Sequence, residues 1–239
     1  MCDVEELLRR GAAELGIQLT HGQRRKALCY LGMIQEHNQR LNLVGTSDPE
    51  TLVLKHILDS LTGLTVLKEH SLVKIIDIGT GAGLPGVPLA IAQPGLEITL
   101  VESNERKAKF LQECKRSLDL SSVEVVRGRA DELGRLPLLR DSFEAVISRA
   151  VAPTRVLIEH TAPFCKENYY IMLYKGRDVD AEIAICRHAL EELRVQIEEI
   201  IETKIPYLGA ERNLVVLRKV GPTAARYPRR IGIPQKRPL

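Results

Sequence analysis

From residue 71 onward the chain alternates between short continuous apolar runs and segments whose apolar residues recur every three or four positions. The first pattern predicts buried strands and the second predicts amphipathic helices. The predicted strands are 73–78, 98–102, 123–127, 144–148, 169–174, about 196–204 and 213–218. The helices predicted between them lie near 86–92, 104–119, 154–164 and 178–194. Alternating strands and helices predict a parallel sheet with right-handed crossovers.

The last two predicted strands differ from the others because no helix separates them. Only residues 206–212 intervene, and this link is too short for the crossover that a parallel pair needs. The final strand is therefore expected to run antiparallel to the rest of the sheet.

The first 70 residues show helical spacing and no strand-like alternation. One helix is marked by Leu7, Leu8, Ala12 and Leu15. A second helix is predicted to begin near Thr20. A third begins where either Ser47, with Glu50 as its capping-box partner, or Asp48, followed by Pro49, caps the first turn. These patterns predict a helical cap over 1–70, a sheet domain over 71–219 and a tail over 220–239.

His56 and Asp59 lie one turn apart on the third predicted helix. One interpretation is that the two side chains line a functional site together. The other is a hydrogen bond on the exposed face of the helix. The local sequence leaves both interpretations open.

A glycine loop follows the first predicted strand. The apolar run ends at Ile78, and Gly79, Gly81 and Gly83 come directly after it. Such a loop lets a ligand lie against backbone that carries no Cβ atom. Glu102 ends the next apolar run, and a carboxylate there can accept hydrogen bonds from both hydroxyls of a ribose. The combination predicts a site for a cofactor that contains adenosine.

Two cofactor classes fit this loop. Residues 81–86 match G-x-G-x-x-G with Glu102 about 20 residues further on, as in dinucleotide-binding folds. The pattern acid-x-Gly-x-Gly-x-Gly, which here begins at Asp77, is typical of S-adenosylmethionine (SAM) sites. Pro85 and Pro88 are expected to disturb the tight helix start that a pyrophosphate needs. Asp77 is expected to repel a pyrophosphate and to suit the cationic methionine end of SAM, so SAM is the preferred cofactor.

The predicted fold agrees with that choice. A dinucleotide dehydrogenase would continue with a second helix-strand half, whereas this chain ends its sheet with a reversed strand. The fold class is therefore predicted as α/β, with the seven-stranded, Rossmann-like sheet of SAM-dependent methyltransferases, a small N-terminal helical layer and a basic, proline-rich C-terminal tail.

Ligands of such sheets lie at the carboxyl ends of the parallel strands. After the third strand, Asp131 could accept from the adenine amino group while Ala130 leaves room for the ring, although Asp131 could equally cap a helix. The fourth and fifth strands and the reversed last strand bring four cations to the same edge. These are Arg149, Lys175, Arg177 and Arg212. Together they favour a substrate that carries phosphate.

The end of the fourth strand limits the chemistry. It reads Ser-Arg-Ala at 148–150, without the Asp/Asn-Pro-Pro-aromatic loop typical of adenine or cytosine amine methylation and without a cysteine nucleophile. No constellation that would deprotonate a ribose hydroxyl is evident either. Guanine N7 has a free lone pair and carries no proton, so its methylation needs alignment rather than a general base. Elimination therefore favours guanine N7.

Composition indicates a basic C-terminal tail and a cytoplasmic location. The net charge is +3, and the five basic residues of 220–239 account for more than all of it, since they leave −2 on the rest of the chain. This tail also contains four prolines, so it is expected to be extended rather than helical, either solvated or bound to a polyanion. Five scattered cysteines without a Cys-x-x-Cys pair favour a reducing cytoplasm and argue against a zinc site. No apolar run reaches about 18 residues, and no signal-peptide pattern is present, so no membrane association is expected.

Several motifs together resemble one family, the bacterial small-subunit ribosomal RNA methyltransferase G (RsmG/GidB) family. They are Arg-Leu-Asn-Leu at 40–43, Lys-His-Ile-Leu-Asp-Ser at 55–60, the glycine-loop segment 77–89, Val-Ile-Ser-Arg-Ala at 146–150, Lys-Gly at 175–176, Arg-Asn-Leu-Val-Val at 212–216 and the tail 227–239. The resemblance covers nearly the whole chain. One departure is Leu84, a position that is often aromatic in the family.

The resemblance implies SAM-dependent methylation of guanine N7 in the decoding-region hairpin of 16S rRNA, with naked rRNA or the small ribosomal subunit as partner and a monomeric enzyme. With the loop glycines, the implied cofactor contacts are Gly79, Gly81, Gly83, Leu84, Glu102, Ser103, Asn104, Ala130, Asp131 and Arg149. Arg149 and Lys175 are expected to orient the substrate, and Arg177, Arg212, Arg229 and Arg230 to contact RNA. The alternatives are an NAD-dependent oxidoreductase and a non-catalytic RNA-binding protein.

Overall fold

Within residues 3–149, 152–177 and 179–239, which are those that the computed structural model describes, seven strands form one sheet in the order β3-β2-β1-β4-β5-β7-β6. Their bounds are β1 Lys74–Ile78, β2 Glu97–Glu102, β3 Val123–Arg127, β4 Phe143–Arg149, β5 Cys165–Lys175, β6 Val195–Lys204 and β7 Glu211–Lys219. Each predicted strand is present. β1 to β5 are parallel, whereas β7 runs antiparallel to both β5 and β6. The predicted reversal at the end of the sheet is confirmed.

Helices cover both faces of the sheet. The N-terminal layer contains α1 Val4–Glu14, α2 His21–Leu41, α3 Pro49–Leu52, a π-helical turn Val53–Leu58, α4 Asp59–Leu61 and α5 Leu64–Glu69. The remaining helices are α6 Gly86–Ala92, α7 Glu105–Ser117, α8 Ala130–Leu133, α9 Thr154–Thr161 with a 3₁₀ turn Ala162–Phe164, α10 Val179–Ala184, α11 Arg187–Glu192 and α12 Ile233–Lys236.

Helix starts follow their capping residues. Thr20 and Gln23 form a reciprocal capping box at α2. Asp48, rather than Ser47, caps α3, because its carboxylate accepts from the Thr51 N–H and Pro49 occupies the first turn. Asn104 caps α7.

Two predicted features differ in the structure. The helix expected over 178–194 is two helices, since the Cys186 N–H bonds to the Ile183 carbonyl in a tight turn between α10 and α11; residue 178 lies outside the described residues. The tail is not simply extended, because α12 forms one helical turn; Pro234 is its second residue, in the first turn, where proline suits a helix.

The core consists of two hydrophobic clusters, one on each face of the sheet. Alternate strand residues divide between them, so Ile75 belongs to the cluster on the N-terminal face and Ile76 to the opposite one. The N-terminal layer shares the first cluster with the sheet, and the buried Tyr30 hydroxyl donates to the Ala82 carbonyl at 2.8 Å. The division at residues 70 and 219 stays a prediction. This packing places the N-terminal layer directly beneath the glycine loop.

Candidate functional site

The glycine loop adopts a conformation that requires glycine. Gly79, Gly81 and Gly83 have φ angles of 71°, 61° and 101°. The N–H groups of Gly79 and Thr80 donate to the Val101 carbonyl at 3.0 and 3.1 Å, which ties the loop to β2. A Cβ atom at Gly81 would meet no heavy atom of the described residues within 4 Å. The loop therefore presents bare backbone to open space, as a ligand cradle requires.

Asp77 is buried beneath this loop. Its Oδ2 accepts from the Thr80 hydroxyl at 2.6 Å and from the Gly86 N–H at 2.9 Å, so it fixes the loop against the start of α6. Burial raises the pKa of this carboxyl to about 6. Its other oxygen, Oδ1, is buried and has no hydrogen-bond partner among the described residues. The expected effect of its charge on the methionine end of a cofactor stays a prediction. α6 also begins at Gly86, so Pro85 and Pro88 do not disturb the helix start; both stand where a missing N–H leaves no helical bond unmade.

Glu102 joins the loops that follow β1 and β2. Its side chain is largely buried, at 8% exposure. One carboxylate oxygen accepts from the Gly81 N–H at 3.0 Å, and the other accepts from the Asn104 N–H at 2.7 Å. The Ser103 hydroxyl also lies 3.5 Å from the second of these oxygens, a long contact. An ionised carboxylate has about four acceptor positions, so acceptor capacity remains for a further donor. The predicted ribose contact is compatible with this geometry.

A small cleft opens beside these loops, at the carboxyl ends of β1, β2 and β3. It has a volume of about 150 Å³ and is lined by Ile78, Gly79, Val101, Ser103, Gly128, Arg129, Ala130, Asp131, His160 and Gln235. Asp131 accepts both hydrogen bonds of the Arg129 guanidinium, at 3.1 and 3.0 Å. The alternative that Asp131 caps a helix is wrong, because the residue preceding α8 is Arg129.

The structure places these predicted cofactor residues in three groups. Gly79, Ser103, Ala130 and Asp131 line the cleft. Gly81, Glu102 and Asn104 adjoin it through hydrogen bonds. Gly83 and Leu84 lie deeper: a Cβ at Gly83 would come within 2.6 Å of Val87, and the Leu84 side chain joins the hydrophobic core. His160 and Gln235 also line the cleft, but no motif in the sequence indicates them.

Arg149 lies apart from that cleft, at the end of β4, and contacts the N-terminal layer. Its guanidinium bonds to Asp59 at 2.7 Å, to the Lys55 carbonyl at 3.3 Å and to His56 Nδ1 at 3.3 Å. Arg212 reaches the other oxygen of Asp59 at 3.3 Å. Asp59 and His56 thus meet Arg149 rather than forming a surface hydrogen bond, which supports the interpretation that they line a site.

His56 is neutral in this network. Burial and the neighbouring positive charge of Arg149 lower the pKa of its imidazole to about 4. A neutral ring can accept a hydrogen bond from the guanidinium at Nδ1. The π-helical turn that contains His56 ends one residue before Asp59, and such turns are frequent at functional sites.

The other predicted cations lie on the same edge of the sheet. Lys175 is mostly buried and pairs with Glu182 at 2.8 Å, so its charge is compensated. Arg177 is exposed and pairs with Glu211 at 2.8 Å. A groove of about 490 Å³ runs beside the β6–β7 turn and is lined by Arg177, Glu202, Thr203, Lys204, Glu211, Arg212 and Asn213. Ala150, part of the Ser-Arg-Ala motif, lies outside the described residues.

The two arginines of the tail have different environments. Arg229 makes a bidentate ion pair with the fully buried Glu159, with a shortest distance of 2.6 Å, and its backbone N–H adds a bond of 2.8 Å. Arg230 is exposed. The predicted RNA contacts of both residues stay predictions, but Arg229 has a structural partner on α9.

Among the described residues, no group of three or more His, Cys, Asp or Glu side chains could hold a metal ion. No helix in the described part of the chain has the length and apolar character needed to cross a bilayer.

Comparison with known proteins gives a consistent result. The sequence model of one family, rRNA small subunit methyltransferase G, matches residues 23–215. A protein named Ribosomal RNA small subunit methyltransferase G from Pelotomaculum thermopropionicum is 40% identical over 239 residues, 100% of both chains. One of the same name from Caldanaerobacter subterraneus subsp. tengcongensis is 38% identical over 234 residues, 98% of both chains. Among solved structures, a SAM dependent methyltransferase from Aquifex aeolicus has a TM-score of 0.52 at 18% identity, covering 72% of this chain and 94% of that chain, which is a likeness of fold.

Proposed function

The chain belongs to the rRNA small subunit methyltransferase G family, and from that premise we propose that it methylates N7 of one guanine in the decoding-region hairpin of 16S rRNA. Membership makes it a SAM-dependent rRNA methyltransferase, with SAM as its cofactor. The observation that supports the proposal most is the bare-backbone loop at Gly81 joined through Glu102 to the loop after β2.

The residues of the cleft fit SAM. Glu102 keeps acceptor capacity for a ribose hydroxyl, and Asp131 lies where it can accept from an adenine amino group. The left-handed glycines give the methionine end a path along the backbone. Gly79, Ser103, Asn104 and Ala130 would complete the contacts.

Methylation of guanine N7 requires that the protein align the base with the methyl group, and it requires no general base. When bound, SAM would supply a methyl group carried on a sulfonium, and guanine N7 would need only its free lone pair to accept that group. The base carries the positive charge afterwards, and no proton moves. Because no general base is needed, the polar groups near Arg149 can all be used in hydrogen bonds. Asp59 bonds two arginines, and His56 accepts a hydrogen bond from Arg149. The rate of methyl transfer then depends on how well the protein orients the two reacting groups and excludes water.

The cations at the sheet edge are proposed to hold the RNA. Arg149 and Arg212, joined by Asp59, offer two planar guanidinium groups suited to phosphate or guanine edges. Arg177 adds an exposed charge next to them. Lys175 is proposed to orient the substrate from its pair with Glu182. Arg230, and less directly Arg229, would extend the contact along the tail.

We further propose that the enzyme acts as a monomer in the cytoplasm. One chain supplies every residue of the proposed site. Neither the oxidoreductase nor the non-catalytic alternative is favoured by an observation of the structure.

The test is transfer of labelled methyl from SAM to RNA from a strain that lacks this protein. Free 16S rRNA and assembled small subunits are offered separately. Label in 16S rRNA in either form supports the proposal and identifies the accepted substrate. Absence of label from both, while SAM binding is intact by calorimetry, would contradict the proposal and indicate another substrate.

A further inference from the structure

Helix α7 carries an excess of positive charge on its surface. It contains five cations and two carboxylates, whereas residues 1–219 as a whole have a net charge of −2. None of the five cations is buried; they are Arg106, Lys107, Lys109, Lys115 and Arg116. The positive charge of the chain before the tail is therefore concentrated along this helix rather than spread evenly.

The cations of α7 border a groove that lies between α7 and α2. The groove has a volume of about 570 Å³. Arg106, Lys109 and Arg116 line it from α7, and His37 lines it from α2. Its floor includes Phe110, whose ring centroid lies 5.3 Å from that of His37. The groove thus combines an aromatic floor with a positively charged rim, and it is separate from the cofactor cleft.

Two arginines of this groove have charges that no carboxylate compensates. Both acids of α7 already have basic partners, Glu105 at 2.9 Å and Glu113 at 3.6 Å. By contrast, no ion pair in the described part of the chain involves Arg106 or Arg116. The two arginines are ten positions apart, which is about 15 Å along a helix, so they can bind separate charges of an extended polyanion.

The groove begins at the edge of the sheet where the cofactor loops lie. Asn104, the cap of α7, bonds through its N–H to Glu102 at 2.7 Å, and α7 then runs back to the opposite edge, where β3 begins. Arg106 lies two positions after this cap, and Arg116 lies near the far end of the helix. A polyanion in the groove would therefore continue directly to the edge at which the methyl group is proposed to be transferred.

RNA is the polyanion that this arrangement fits best. Guanidinium groups bind phosphate oxygens through two parallel hydrogen bonds, and cations clustered along a helix are typical of nucleic-acid binding. The proposed substrate is an RNA that must lie at the edge where the groove begins. An acidic protein segment is the alternative occupant, and the experiment below distinguishes the two.

We propose that the groove between α2 and α7 binds the phosphate backbone of 16S rRNA outside the target nucleotide, an inference that rests on the proposed function. Arg106 and Arg116 bind separate phosphates. This surface differs from the one formed by Arg149 and Arg212, which is proposed to hold the RNA beside the ends of β4 and β7. Phosphate contacts fix the position of a nucleic acid without reading its bases, so the groove supplies affinity and placement.

A double variant tests the groove. Arg106→Gln combined with Arg116→Gln removes two charges and keeps long polar side chains. Binding of 16S rRNA, from a strain that lacks this protein, is measured over a series of salt concentrations. The Kd is expected to rise about tenfold at low salt, and the dependence of log Kd on log salt concentration should become shallower by about 1 for each cation removed.

The matched control removes the same charge elsewhere. Lys68→Gln combined with Arg187→Gln changes exposed residues of α5 and α11 and should bind RNA as the unaltered protein does. Thermal unfolding and calorimetric binding of S-adenosylhomocysteine check that both double variants are folded with an intact cofactor cleft. Equal RNA affinity and equal salt dependence of the two double variants would overturn the proposal.

Methyl transfer distinguishes failure of the groove from failure of the proposed function. The groove variant should raise the KM for the accepted form of 16S rRNA and leave kcat unchanged, because its cations do not touch the reacting atoms. If the unaltered protein transfers no methyl but RNA binding falls only in the groove variant, the proposed function fails and the groove is supported. Absence of RNA binding by the unaltered protein would overturn both.

Polyglutamate serves as the probe for an acidic protein partner. Its binding is compared between the unaltered protein and the groove variant under the same salt conditions. A loss of affinity for polyglutamate without a loss of affinity for 16S rRNA would assign the groove to an acidic protein segment and would overturn the proposal.

Discussion

Asp59 is the residue on which the substrate side of the site depends. It is buried, and its two oxygens bond Arg149 from β4 and Arg212 from β7, which are far apart in sequence. The carboxylate therefore sets the direction of both guanidinium groups. Because both arginines are partly buried, removing the negative charge leaves two positive charges close together without compensation.

Replacement of Asp59 by asparagine tests this arrangement. Asp59→Asn is expected to lower kcat/KM for methyl transfer about 100-fold, since misplaced orienting groups can cost that much. SAM affinity should change little, because Asp59 does not line the cofactor cleft. Asp180→Asn, an exposed aspartate on α10, is the control. Equal loss of SAM affinity and turnover would show instead that Asp59 maintains the cofactor cleft.

At the scale of elements, the site depends on two irregular segments rather than on regular ones. The π-helical turn Val53–Leu58 carries His56 and leads into Asp59 at the point where they meet Arg149. The glycine loop after β1 depends on left-handed backbone that other residues adopt only at a cost. The regular strands position both segments at one edge of the sheet.

A pair of glycine substitutions separates backbone strain from ligand contact. Gly81→Ala and Gly16→Ala both place alanine at positive φ, 61° and 74°, where an added Cβ meets open space among the described residues. Each should lower the free energy of unfolding by about 1 kcal/mol, measured by denaturant titration. Only Gly81→Ala is expected to weaken SAM binding, by tenfold or more, because its Cβ enters the cradle. Equal SAM affinity in the two variants would contradict the cradle.

At the scale of the whole molecule, the chain joins three segments around one sheet edge. The N-terminal layer supplies Asp59, the sheet supplies the cofactor loops, and the C-terminal tail pairs with α9 through Arg229 and Glu159. Much of this was predictable: continuous apolar runs defined the strands, and the missing helix before β7 indicated its reversal. The glycine spacing and Glu102 located the cofactor loops.

Contacts between segments that are distant in the sequence could not be predicted. Arg229 and Glu159 are separated by 70 positions, and no local sequence pattern indicates that the C-terminal tail packs on α9. His160 and Gln235 line the cofactor cleft, although no motif in the sequence indicates them. The two hydrogen bonds by which the buried Asp77 carboxylate holds the glycine loop are likewise not visible in the sequence pattern.

The two neighbouring arginines of the tail, Arg229 and Arg230, are expected to differ in their effect on stability. Arg229→Ala leaves Glu159 buried without its partner and is expected to lower the free energy of unfolding by about 3 kcal/mol. Arg230→Ala should stay within about 0.5 kcal/mol, since Arg230 is exposed. Its expected effect is weaker RNA binding with a shallower salt dependence. Equal stability of the two variants in denaturant titrations would contradict the structural role of Arg229.

Identification of the methylated atom tests the proposed guanine-N7 methylation most directly. 16S rRNA from a strain lacking this protein is methylated with purified enzyme, digested to nucleosides for mass analysis, and mapped by chemical cleavage specific for N7-methylguanine. We expect one N7-methylguanine, at a single position in the decoding-region hairpin, and none with the Arg149→Ala variant. Methyl on another atom, or scattered over many guanines, would contradict it.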